Sequence, residues 1–138
     1  MSPSEIHKGI KRAVQARLFD LEIRRPNRKS LVEFLIHGVK YAYAPEIGGM
    51  TRGVPTAFAA PGLREHFQMG DESFVWPDPQ GEHRGLSFSP MYKTVPLAVR
   101  EDEGLYRALS ALDAIRAGRI RERKMGENIL TDMLEHHD

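Results

Sequence analysis

Ser2-Pro3-Ser4-Glu5-Ile6-His7-Lys8-Gly9-Ile10-Lys11-Arg12-Ala13-Val14-Gln15-Ala16-Arg17-Leu18 carries the most regular helical pattern near the start of the chain. Ser2 and Glu5 stand at capping-box spacing, and Pro3 occupies the first helical position. Ile6, Ile10, Ala13, Val14 and Leu18 recur at offsets that keep one stripe on one face of a 3.6-residue period. Lys8, Lys11, Arg12 and Gln15 fall mostly on other faces. The pattern predicts an amphipathic helix with a basic side. A helix that reads DNA needs this division, with one face anchored to a core and the other offering donors to base edges and phosphates. Ser2 and Ser4 stand where exposed backbone N–H groups also favour a phosphate. Composition alone favours an ordinary surface helix with solvated lysines, since basic amphipathic helices are common.

Moving outward, Phe19 to Ile23 alternates apolar and acidic residues and reads as a short strand or an extended connection. Arg24-Arg25-Pro26-Asn27 is turn chemistry. A second helix is expected from Arg28 to Gly38, with Leu31, Phe34, Leu35 and Val39 in register. Val39–Ala44 and Thr51–Ala59 read as a β-hairpin about Glu46-Ile47-Gly48-Gly49, with Pro55 placing the second strand at an edge. Residues 60–90 are rich in turn residues, with a short strand near Gly85–Ser89. Beyond them, Tyr92–Arg100 reads as a short helix. A longer helix starts at Glu101–Glu103 and carries Leu105, Leu109, Leu112 and Ile115. Gly118 weakens it, and the pattern continues through Arg119–Leu134. The expected fold is α+β and mainly helical: a partial winged-helix-like domain with a β-hairpin and C-terminal helices. Residues 1–59 form a helix-turn-helix-like region with the hairpin, 60–91 a loop-rich segment and 92–138 the C-terminal helices, all in one compact domain.

The chain has 138 residues, 41% of them hydrophobic, and no cysteine. That excludes disulfide staples, thiolate zinc sites and cysteine nucleophiles. No apolar run approaches the roughly 20 residues of a membrane span, and the N-terminus lacks a secretory apolar region. No membrane partner and a cytoplasmic location are therefore expected. The net charge of +1 is a sum of unlike parts. Residues 1–42 hold nine bases against four acids, for +5, and the remainder carries −4. Nucleic-acid binding follows local charge rather than the total.

Catalysis finds little support. His7, His37, His66 and His83 are isolated, and no metal-binding, nucleophile-elbow or phosphate-loop spacing occurs. No enzyme activity, metal or cofactor is expected. Trp76, Tyr92, Phe74, Phe88 and Tyr106 read as core or loop anchors rather than a ligand cage. Arg116, Arg119, Arg121, Arg123 and Lys124 interleave with Asp113, Glu122 and Glu127, which suits a solvated or salt-bridged face.

The Met1–Leu18 segment resembles the recognition helix of bacterial winged helix-turn-helix regulators, the MarR-like proteins among them. Blocks at Arg25–Arg28, His37–Ala42, Thr51–Thr56 and Trp76–Pro79 resemble an uncharacterised MarR-like branch. The resemblance implies a transcription regulator that binds double-stranded DNA as a homodimer. Ser2, Ser4, His7, Lys8, Lys11 and Arg12 would meet DNA from the helix, and Arg24, Arg25, Arg28 and Arg52 would touch phosphates. Two departures accompany it. The chain begins at the recognition helix, without the first helices of the motif, and a helix rather than a wing follows. The hairpin at Val39–Ala59 is then expected to be a displaced wing, with Arg52 near its tip. The alternative is a protein-interaction or antitoxin-like accessory module that retains a helix-turn-helix remnant and binds a protein partner.

Overall fold

Helix α1 (Pro3–Gln15) opens the computed structural model, which describes residues 3–66 and 73–136. Ser2, the expected cap, lies outside the described residues. The far end of α1 is well defined. Leu18 N–H donates to the Ala13 carbonyl at 2.8 Å and Arg17 N–H to that of Val14 at 3.0 Å. This pair of bonds is a Schellman closure, in which the turning residue takes a left-handed conformation. That residue is Arg17, at φ 64°. The chain then reverses in a two-stranded hairpin of β1 (Phe19–Asp20) and β2 (Arg25–Pro26), paired antiparallel. Asp20 Oδ1 accepts the N–H of Glu22 at 2.9 Å and tightens the turn.

Asn27 caps α2 (Arg28–Glu33), its side chain accepting the Ser30 N–H. The helix does not stop at Gly38. It passes through a π-helical stretch, Phe34–Gly38, into α3 (Val39–Ala42). The expected strand over Val39–Ala44 is therefore corrected. Val39 is fully buried and continues the helical stripe of Leu31, Phe34 and Leu35, so packing on the core outweighs its β propensity. The displaced wing expected at Val39–Ala59 is absent with it.

The strand system lies downstream. Strand β3 (Ile47–Thr56) runs antiparallel to both β4 (Phe74–Pro77) and β5 (His83–Phe88), and the three close into a small barrel. Pro55 is thus on the central strand rather than at an edge, opposite Val75. Gly48-Gly49 and Trp76-Pro77 look like turns in sequence but lie within strands. Barrel closure needs close backbone approach at Gly53, where a Cβ would collide with the Trp76 carbonyl.

A short helix, α4 (Val95–Ala98), carries Pro96 in its first turn, the position that tolerates a missing N–H. Helices α5 (Glu103–Ala117) and α6 (Ile120–Glu135) complete the chain and pack on one another. Asp102 caps α5 by accepting the Leu105 N–H at 2.9 Å. Gly118, at φ 83°, ends it in a left-handed turn, so the long C-terminal pattern is two helices rather than one. The main core gathers Val39, Phe58, Leu63, Phe74, Phe88, Leu112, Ile115, Ile129 and Leu130. The architecture is α+β and mainly helical, with a β-hairpin and C-terminal helices. Among the described residues no helix is long and apolar enough to cross a membrane.

Candidate nucleic-acid interface

Helix α1 is exposed along its basic side. Ser4, His7, Lys8, Lys11 and Arg12 all face solvent, and no residue of the helix is buried. At 100° per residue, Ser4, Lys8, Lys11, Arg12 and Gln15 share the side opposite the Ile6–Ile10 stripe. The stripe itself is open, with Ile6 47% and Ile10 36% exposed. A side-chain tie holds the N-terminal half to the body, where Tyr92 OH donates to Glu5 Oε2 at 3.1 Å. That hydrogen bond raises the Tyr92 pKa, since ionisation would remove its donor, and the carboxylate charge adds to the effect.

The β1–β2 hairpin follows α1 directly. Its tip carries Leu21 and Ile23, both more than half exposed, and Arg24, in a left-handed conformation at φ 54°. Arg25 lies on β2 and Arg28 opens α2, both exposed. Asn27 N–H donates to the Leu18 carbonyl at 2.8 Å, so the base of the hairpin is clamped to the end of α1. Helix, hairpin and the start of α2 thus form one continuous stretch of chain carrying five arginines and two lysines from Lys8 to Arg28.

Between α1 and the α2–π segment runs an open groove of about 950 Å³. Ala13, Ala16, Leu18 and Phe34 line it, with Arg12, Arg17, Glu33 and His37 among its polar residues. Arg52 is not part of this region. It sits on β3, and across the strand pair it faces Arg84. Arg84 has no sequence signal of its own, because only the strand register places it there. No protein-family model, curated protein or solved structure matches this chain.

A second polar cluster has the opposite character. Asp113 and Arg116 are both buried, and Arg116 NH1 lies 2.8 Å from Asp113 Oδ1. Asp113 Oδ2 also accepts from Thr56 Oγ1 and from Trp76 Nε1, each at 2.7 Å. The Arg116 guanidinium donates further to the Tyr43 carbonyl at 2.8 Å and the Ser89 carbonyl at 3.0 Å. It also stacks 5.2 Å from the Phe88 ring centre. Burial pushes the Asp113 carboxyl up to about 6, against the pull of Arg116 and its hydrogen bonds. The cluster ties α5 to two barrel strands and two connecting segments. With the Asp113 side chain 1% exposed and both its oxygens engaged, that suits a structural role. Two residues expected on a charged surface face are therefore core residues. Their sequence signal is the apolar setting of Leu112, Ala114 and Ile115. Further along the same stretch, Arg119 approaches Glu122 and Arg123 approaches Glu127, each at 3.9 Å, as a salt-bridged face should.

Proposed function

We propose that this chain is a cytoplasmic DNA-binding transcriptional regulator of winged-helix type, related to the MarR-like proteins and acting as a homodimer. In this reading α1 is the reader helix. Ser4, His7, Lys8, Lys11 and Arg12 approach bases and phosphates, with Ser2 just ahead of them, and the β1–β2 hairpin is the wing. Arg24, Arg25 and Arg28 meet the phosphate backbone. The observation that carries the reading is the join itself: an exposed basic helix clamped at its C-terminus to a hairpin with an arginine at its tip. Helix and wing side by side can engage a groove and the adjoining backbone together.

The test is filter binding of duplex DNA across a salt series. Each neutralised phosphate steepens the log–log salt slope by about 0.9. The double variant Lys8→Ala/Lys11→Ala is expected to lower that slope by about 2 and weaken binding at all sequences. An unchanged slope removes α1 as the reader.

A protein-interaction or antitoxin-like module is the second reading. It is favoured by the open Ile6–Ile10 stripe and by the exposed Leu21 and Ile23 at the hairpin tip, apolar side chains of the kind partners cover. Size-exclusion chromatography with light scattering separates the two. A strict monomer with no DNA shift contradicts the homodimeric regulator.

A further inference from the structure

The outer face of the barrel holds a pairing that folding alone disfavours. Arg52 on β3 stands directly opposite Arg84 on β5, and both side chains are exposed. Residues opposed in this way hold their Cβ atoms about 4.5–5.5 Å apart, where like charges are destabilising. Among the described residues neither arginine is in an ion pair with an acid. Asp78 donates its N–H to the Arg52 carbonyl at 3.1 Å, but its carboxylate is taken by Arg100 at 3.2 Å and by the Gln80 N–H at 3.0 Å. Those bonds hold the Asp78 pKa low, the Gln80 N–H contributing most. Glu82 makes no ion pair with either arginine among the described residues. Both strands also pack closely on the β4 segment here: Gly53, beside Arg52, packs on the Trp76 carbonyl, and a Cβ at Gly85, beside Arg84, would lie 2.6 Å from the Ser73 carbonyl. The strand register sets the two arginine backbones side by side.

From this geometry we infer that Arg52 and Arg84 form a phosphate seat. A bound oxyanion turns their repulsion into two charge-assisted contacts. The planar guanidinium fork matches phosphate oxygens in pairs. A free phosphate offers four oxygens to the two forks, and a backbone phosphodiester offers its two non-bridging oxygens, one to each arginine. That phosphate belongs either to a DNA backbone or to a free phosphate. The seat stands on the strand register, and only its assignment to DNA rests on the reading under Proposed function.

Thermal unfolding of the wild type, Arg52→Ala and Arg84→Ala tests it, in sodium phosphate and in sodium chloride at matched ionic strength. General effects of phosphate on apolar burial act on all three chains alike. The wild type should gain about 2–4 °C more in phosphate than either variant does. Arg84→Lys, which keeps the charge and loses the fork, should forfeit most of that increment. Equal gains in all chains overturn the seat. DNA filter binding then identifies the source. If the seat holds a backbone phosphate, Arg84→Ala lowers the salt slope by about 1. A lost melting increment with an unchanged slope assigns it to free phosphate. If the wild type binds no DNA at all, the DNA reading fails while the melting comparison still decides the seat.

Discussion

Helix α1 runs for 13 residues and buries none of them, whereas α5 runs for 15 and buries an unbroken segment from Ser110 to Arg116. The contrast is not one of apolar content, since α1 carries its own regular stripe of Ile6, Ile10 and Val14. It lies in where the charges sit. In α1 they cover one open face. In α5 the pair Asp113 and Arg116 lies inside, bonded to each other and to the barrel. Amphipathic pattern therefore tells which face can be buried, while burial itself depends on whether another element arrives to cover it. For α5, the barrel and α6 arrive. For α1, the hairpin packs against its end and Tyr92 reaches Glu5, but no residue of the helix becomes buried.

The sharpest way to break this comparison is to open the internal pair. Arg116→Ala leaves Asp113 charged and without its cation, and a loss of about 3–5 kcal/mol is expected by denaturant unfolding. A loss below about 1 kcal/mol would mean the cluster does not hold α5 to the barrel. Next in size is one substitution made in both regions. A Cβ at Gly126 on α6 would collide with the Ala111 carbonyl of α5, whereas at Gly9 on α1 it would meet nothing within 4 Å. Gly126→Ala should therefore cost about 1–3 kcal/mol, and Gly9→Ala should add up to about 1 kcal/mol by helix propensity. Matching signs would erase the distinction between the helices.

The pH dependence sharpens it further. Asp113 has its pKa raised from an ordinary 3.8 to about 6 by burial. Between those values the folded chain keeps a proton that the unfolded chain releases. The contribution of this group to stability is thus full below the lower value, falls as pH rises through the window, and is flat above it. Trp76 Nε1 bonds the same carboxylate, so its fluorescence should titrate with a midpoint near pH 6, and Asp113→Asn should abolish the step. The smallest effect concerns the tie between the regions. Tyr92→Phe removes the bond to Glu5 and should cost under about 0.5–1 kcal/mol globally. Amide exchange in α1 should nevertheless quicken while α5 stays protected, because local openings draw on local contacts.

Much of this architecture was legible in sequence where a helix was long and periodic. The first helix and the C-terminal ones follow from the spacing of Ile6, Ile10, Leu105, Leu109 and Ile129. The basic character of residues 1–42 is arithmetic. The errors fall where tertiary contacts override local preference. Val39 to Ala42 has strand composition but extends a helix because Val39 reaches the core. Trp76-Pro77 resembles a turn, yet β3 and Asp113 hold it as a strand. Arg84 was invisible as the partner of Arg52, since register is a property of the closed barrel rather than of either segment.

The Asp113 cluster also constrains the order in which the molecule can be assembled. Its bonds span 57 residues to Thr56 and 37 to Trp76. A chain emerging from the ribosome N-terminus first can wind α1 and fold the adjoining hairpin from local contacts alone. The strands β3, β4 and β5 precede the carboxylate that bonds Thr56 and Trp76, so the barrel has to wait for α5 before this cross-link can form. Late, non-local closure of this kind slows folding. The nascent protein therefore carries its exposed basic head well before it has a completed body.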